Sequence, residues 1–233
     1  MVFLPLYKSY MDFFVQMFVT ATQKIKMGFT FGNWEDTPRI GLVDKWLTNC
    51  GYIFSRRKPG QSLQSNYINS ELLKEIITNN QVTTIYQNYE RFRAGKLHRK
   101  QSADMSIRWL LESFLHLQQQ GRNLMVVPVM VSYDRIYEGL NIAQEMIHGE
   151  KRDYTLLSAI SYIASAGPDS LGHIYVRYLD PISMEEYMRT NVKGMRCQGD
   201  LEACALQLTA HLMEQQQRAS PVTLNSLLSA WLL

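Results

Sequence analysis

Charge is what this 233-residue sequence has little of: Lys, Arg, Asp and Glu make up 19% of it, and the formal net charge is +3. Duplex binding needs a concentrated basic face, and no cluster here is larger than a short run such as Arg56-Arg57-Lys58. Nucleic acid is therefore not expected as a partner. Cysteine is sparse too. Cys50, Cys197 and Cys204 form no Cys-x-x-Cys pair and no metal-ligand spacing with histidine, so neither a disulfide framework nor a zinc site is indicated. A reducing compartment fits best. There is no Asn-x-Ser/Thr sequon and no basic n-region with a small-residue cleavage site, which points to an intracellular location. Long hydrophobic runs are missing. The longest uncharged stretches, Tyr154 to Pro168 and Ala219 to Leu233, fall short of the ~20 apolar residues that cross a bilayer, although short apolar segments flanked by Lys and Arg dock at its surface. Pro/Gly/Ser linkers and internal repeats are also absent, so one domain over residues 1–233 is expected.

What is present is an ordinary globular composition, 46% hydrophobic and 11% aromatic, in a chain long enough to bury a core without staples. Strand-like runs at Val2 to Leu6, Met27 to Phe31, Gly51 to Ser55, Val82 to Tyr86, Leu124 to Ser132 and Gly172 to Tyr178 alternate with helical patterns. Leu72, Leu73, Ile76 and Ile77 form one apolar stripe behind Ser70 as an N-cap. Ile107, Leu110, Leu111, Phe114 and Leu115 form a second. A last helix, capped by Asp200, aligns Leu201, Cys204, Ala205, Leu208 and Leu212. The fold class read from this alternation is α/β: a single domain with a mixed, mostly parallel sheet covered by helices. The runs Gln118 to Gln120 and Gln215 to Gln217 read as solvated helix ends, and Val127-Pro128-Val129 as core strand.

Four blocks, in order, resemble those of the acyltransferases that place a fatty acyl group on glycerol 3-phosphate or dihydroxyacetone phosphate. The first is Pro5-Leu6-Tyr7-Lys8-Ser9-Tyr10-Met11-Asp12-Phe13, where the family has Pro-x-His-(Lys/Arg)-Ser-x-x-Asp-Phe. The second is Gly51-Tyr52-Ile53-Phe54-Ser55-Arg56-Arg57. The third, Tyr86 to Lys96, aligns through Arg91-Phe92-Arg93-Ala94-Gly95-Lys96. The fourth and best kept runs from Val127-Pro128-Val129 through Ser132-Tyr133-Asp134-Arg135 to Glu138-Gly139. Gly172 to Tyr178 with Pro181-Ile182-Ser183 is similar to the family's later strand and turn, and Ser220-Pro221-Val222-Thr223 to its ending. The helical region that precedes the catalytic domain in many relatives has no counterpart in the sequence.

The resemblance implies a histidine general base, oriented by the block-one aspartate, that takes a proton from the acceptor hydroxyl as it attacks an acyl-CoA thioester. Here the histidine position is Tyr7. A phenol of pKa about 10 is protonated near pH 7 and donates rather than accepts, so Asp12 is left without an imidazole. Asn88 and Tyr89 stand where the family has Glu-Gly, which removes a charged acceptor and adds bulk where the backbone approaches substrate. No catalytic residue is expected; Tyr7, Asp12, Asn88 and Tyr89 are degenerate positions. Asp12 reads instead as the cap of a helix beginning at Phe13. Arg56, Arg57, Arg91, Arg93 and Lys96 remain as phosphate- or lipid-binding candidates, or as solvated loop charges. Of five histidines only His98 lies near a block; His116, His148, His173 and His211 read as surface or satisfied core.

The function these substitutions imply is that of a catalytically inactive acyltransferase-like protein. It would be a structural or accessory subunit on a membrane surface, beside other protein subunits, with a large mitochondrial complex favoured over peroxisomal or reticular membranes. A divergent glycerol-3-phosphate or dihydroxyacetone-phosphate acyltransferase is one alternative. A non-catalytic binder of phospholipid or acyl-CoA is another. Neither a cofactor nor a metal is expected.

Overall fold

The computed structural model describes residues 1–6, 8–9, 11–26, 28–33, 41–55, 63–87, 105–135, 172–191, 198–223, 227 and 231. The elements are β1 (Val2–Pro5), α1 (Asp12–Thr22), β2 (Phe29–Asn33), α2 (Gly41–Asn49), β3 (Tyr52–Ser55), α3 (Leu63–Thr78), β4 (Thr83–Ile85), α4 (Met105–Gln119), β5 (Met125–Tyr133), β6 (Ile174–Tyr178), β7 (Ile182–Ser183), α5 (Met184–Asn191) and α6 (Gln198–Arg218). All six expected strands form, with ends shifted by one or two residues. Ile182-Ser183, expected as a turn, is instead a short strand on β5.

The sheet runs β3-β2-β4-β1-β5-β6, with β7 also paired to β5. The first five strands are mutually parallel, and β6 and β7 are antiparallel to β5. The mixed, mostly parallel α/β class follows directly. From β1 the chain crosses β4 to reach β2, and from β4 it crosses β1 to reach β5. The reversal leaves a switch point at the carboxyl ends of the central strands, which is where open α/β sheets place their ligand crevices.

Parity along the strands separates the two faces. Val2, Leu4 and Val126 join a large apolar cluster with Leu73, Ile76 and Ile77 of α3, six residues of α4, Met184 and Tyr187 of α5, and Leu201, Cys204, Ala205, Leu208 and Leu212 of α6. The stripes expected on α3, α4 and α6 are therefore core, apart from Leu72, which is 38% exposed, and Leu115, which is partly buried. Phe3, Val127, Val129 and Val131 face the other way, forming a smaller cluster with Val15 of α1 and with Tyr133, Val176 and Tyr178. The near-continuous apolar run of β5 fits a strand covered on both faces.

Two expected caps are corrected. Ser70 lies in the middle of α3, buried, with its hydroxyl on the Glu112 carboxylate; Asp200 lies inside α6, which begins two residues earlier. In both cases the apolar periodicity was right and the helix extends past the polar residue, because packing rather than capping sets its length. Two glycines are required by geometry. Gly51 takes φ +83 between α2 and β3, and its N–H returns to the Thr48 carbonyl, closing the helix with a left-handed residue. A Cβ at Gly32 would lie 1.5 Å from the Tyr52 hydroxyl oxygen, so the bare backbone lets the phenol of β3 lie across β2.

Candidate functional site

Beyond β1 the chain stays on the sheet for one more residue: Leu6 bridges Gln87 and donates its N–H to the Val129 carbonyl at 3.4 Å. It then turns into α1. Asp12 donates its N–H to the Ser9 carbonyl, and the Ser9 hydroxyl accepts the Met11 N–H. The Asp12 side chain, fully buried, reaches back and accepts the N–H groups of Lys8 at 2.6 Å and Ser9 at 3.0 Å. Tyr133, the last residue of β5, donates its hydroxyl to the other carboxylate oxygen.

A buried carboxylate is costly unless charge-assisted hydrogen bonds replace its hydration, and these three do so at the positive end of α1. The expected cap is thereby corrected. Asp12 is the first residue of the helix and makes no N-cap bond to it; Met11 holds the cap position without a side-chain bond. The carboxylate instead pins the preceding turn and ties it to β5.

Lys8 sits beside this carboxylate. Burial lowers its amine pKa, the charge of Asp12 opposes that shift, and Nζ lies 3.5 Å from the Ser220 hydroxyl.

Two glutamines support the same sheet end. Gln87 Nε2 donates to the Leu4 carbonyl at 3.1 Å; Gln216 Nε2 donates to the Leu4 carbonyl at 2.7 Å and the Val129 carbonyl at 3.1 Å. The Oε1 atoms of both are buried without a protein partner. Gln216 corrects the expectation for Gln215 to Gln217: it is 1% exposed, because α6 packs that turn across β1 and β5. Gln118 to Gln120 are exposed, as expected.

Under α1 a cleft of about 390 Å³, including space open to solvent, is lined by Phe3, Phe13, Gln16, Met17, Thr84 and Tyr86 among others. Both amide atoms of Gln16 are buried without a hydrogen-bond partner. Burial raises the Tyr178 phenol pKa and raises that of Tyr86 well above the usual tyrosine value. The surface pair Asp134 and His173 caps the entry to β6. The carboxylate accepts the His173 N–H at 3.0 Å and contacts Nδ1 at 3.1 Å, and these bonds, the backbone one foremost, lower its pKa. Among the described residues no group of three or more His, Cys, Asp or Glu side chains converges on a metal position.

Of the sequence-selected positions, Asp12 alone falls among the described residues. Tyr7, Asn88, Tyr89, Arg56, Arg57, Arg91, Arg93, Lys96 and His98 lie outside them. Sequence reasoning missed Tyr133 as the partner of Asp12, although it stands in the best-kept block. It also missed Gln87 and Gln216, which no motif marks.

The arrangement at the switch point is thus a buried aspartate at the start of the helix after the first strand, held to the end of the strand that carries Val-Pro-Val and Ser-Tyr. The chain is similar to glycerol-3-phosphate acyltransferases. It is 22% identical over 206 residues to that of Alteromonas mediterranea, covering 86% of this chain and 24% of the relative. It is 23% identical to glycerol-3-phosphate acyltransferase 1, mitochondrial, of Sus scrofa (82% and 23% covered) and of Mus musculus (81% and 23% covered). The chain therefore spans about a quarter of the length of these relatives. No family model matches it. Among the described residues no helix is long and apolar enough to cross a membrane.

Proposed function

We propose that the chain is a catalytically inactive acyltransferase-like protein serving as an accessory or structural subunit at a membrane. The observation that carries this reading is the state of Asp12. In the family reaction its role is to orient an imidazole; here the sequence has Tyr7 at the imidazole position, while the carboxylate is taken up by the Lys8 and Ser9 N–H groups and the Tyr133 hydroxyl. It acts as a joint between a turn and a strand, a role that keeps an aspartate in place without turnover. Losing a general base removes roughly 10²- to 10⁴-fold of rate by itself, and Asn88 and Tyr89 alter the acceptor side as well. The word mitochondrial in the names of the Sus scrofa and Mus musculus relatives supports a mitochondrial setting. Purified protein given palmitoyl-CoA and either glycerol 3-phosphate or dihydroxyacetone phosphate is expected to release thiol at the protein-free background. Acceptor-dependent release overturns the reading.

One observation favours a second reading, a divergent acyltransferase. Lys8 is a part-buried amine of lowered pKa next to the block-one aspartate, and desolvated lysines serve as bases. On this reading the acceptor-dependent release appears in the unaltered protein and disappears in Lys8→Met.

A further inference from the structure

Most surface helices of globular proteins bury their apolar stripe and expose their polar one. α1 does the reverse. The residues it buries are Asp12, Gln16 and Thr20, one polar stripe at i, i+4 and i+8 facing the sheet. Phe13, Phe14, Val15, Met17 and Val19 are only partly buried, and Phe18 is 68% exposed. An aromatic surface continues sideways from the helix. Phe14 meets Phe13 edge-on at 5.5 Å, Phe13 meets Tyr52 at 5.0 Å, and Tyr52 meets Phe54 at 4.8 Å, with all four rings partly open to solvent.

Charge selects the occupant. From Met11 to Asn33 the sequence contains a single acidic residue, Asp12, and that one is buried; Lys24 and Lys26, both exposed, follow the end of the helix. An exposed phenyl group followed by lysines, in a segment whose one acid is buried, suits an interface of acyl chains and anionic headgroups, where apolar rings enter the acyl boundary and ammonium groups remain at the phosphate level.

We infer that the outer face of α1, centred on Phe18 and flanked by Lys24 and Lys26, docks on an anionic lipid surface. The inference rests on the membrane-side reading above for its setting. Vesicle binding and turnover are separate measurements, so either fails without the other.

The test is flotation of the full chain with vesicles of phosphatidylcholine and phosphatidylglycerol, compared with phosphatidylcholine alone and at raised salt. The protein is expected to float with the anionic vesicles and less with the neutral ones, and salt should weaken binding. Phe18→Ser should lower the partition about tenfold, the order for withdrawing one phenyl group from an apolar phase. Lys24→Glu with Lys26→Glu should lower it by about tenfold or more. Phe18→Trp should float as the unaltered chain does, which separates lost insertion from a lost fold. Failure of the unaltered chain to float with anionic vesicles overturns the inference, as does equal flotation of Phe18→Ser. If binding is lost equally in Phe18→Ser and Phe18→Trp, insertion at this face is refuted.

Discussion

On the face of the sheet covered by α3, α4, α5 and α6, Trp109, Leu110, Leu111, Phe114 and Leu208 are sealed from solvent among other hydrocarbon side chains. Under α1, on the opposite face, the positions that point inward are Asp12, Gln16 and Thr20. One sheet thus carries two kinds of packing. The first face is apolar and interchangeable in kind, which is what stability requires. The second combines a smaller apolar cluster with one buried carboxylate held by specific polar contacts, which is the kind of arrangement a site requires.

The contrast is sharpened first on the apolar face, where the largest effect is expected. Trp109→Ala should destabilise by about 3–5 kcal/mol in urea or thermal unfolding, the range for deleting a buried aromatic. A loss under 1 kcal/mol would remove that face as the source of stability. On the polar face Asp12→Ala should cost about 3 kcal/mol, because two backbone N–H groups and the Tyr133 hydroxyl lose a charged acceptor. Tyr133→Phe should cost about 1.5–2 kcal/mol, and the pair should be markedly less than additive; full additivity would mean that the two residues are not coupled. Gln216→Leu should change stability by about 1 kcal/mol or less, since the loss of two donated bonds is offset by removing a buried oxygen without a partner.

The smallest effect concerns acid. The folded-state pKa of Asp134 is lowered, first by the His173 N–H bond. Its contribution is therefore present above the ordinary aspartate pKa of about 3.9 and is lost as pH falls through the lower folded value. Asp134→Asn should flatten that acid limb of the stability profile by lowering stability slightly at neutral pH, the two proteins converging below the folded value. A profile identical to that of the unaltered protein would show the pair to be inert.

These effects also mark what was legible beforehand. The strands could be read because Val126 to Val131 and their counterparts carry the apolar patterns that two covered faces demand. The stripes of α3, α4 and α6 could be read because hydrophobic period and burial coincide there. The helix starts at Ser70 and Asp200 were misread, since a polar residue before an apolar stripe marks a cap only if packing does not carry the helix further. Gln216 was misread for the same local reason: three consecutive glutamines look solvated until α6 is laid across β1 and β5. α1 shows the limit most clearly, because its phenylalanines invite an inward apolar face and only the tie between Asp12 and Tyr133, 121 residues apart in sequence, reveals the opposite orientation. At the site, the block order pointed to Asp12, whereas Tyr7, Asn88 and Tyr89, which the resemblance implies are altered, lie outside the described residues. The contacts of Lys8, Gln87 and Tyr133 are products of tertiary structure.

The most direct test of the central claim restores what the sequence lacks. Thiol release from palmitoyl-CoA, with glycerol 3-phosphate and dihydroxyacetone phosphate in turn, is compared between the unaltered protein and a Tyr7→His, Asn88→Glu, Tyr89→Gly triple variant. A silent unaltered protein beside a variant that turns over is the predicted result. Acceptor-dependent release by the unaltered protein would contradict it.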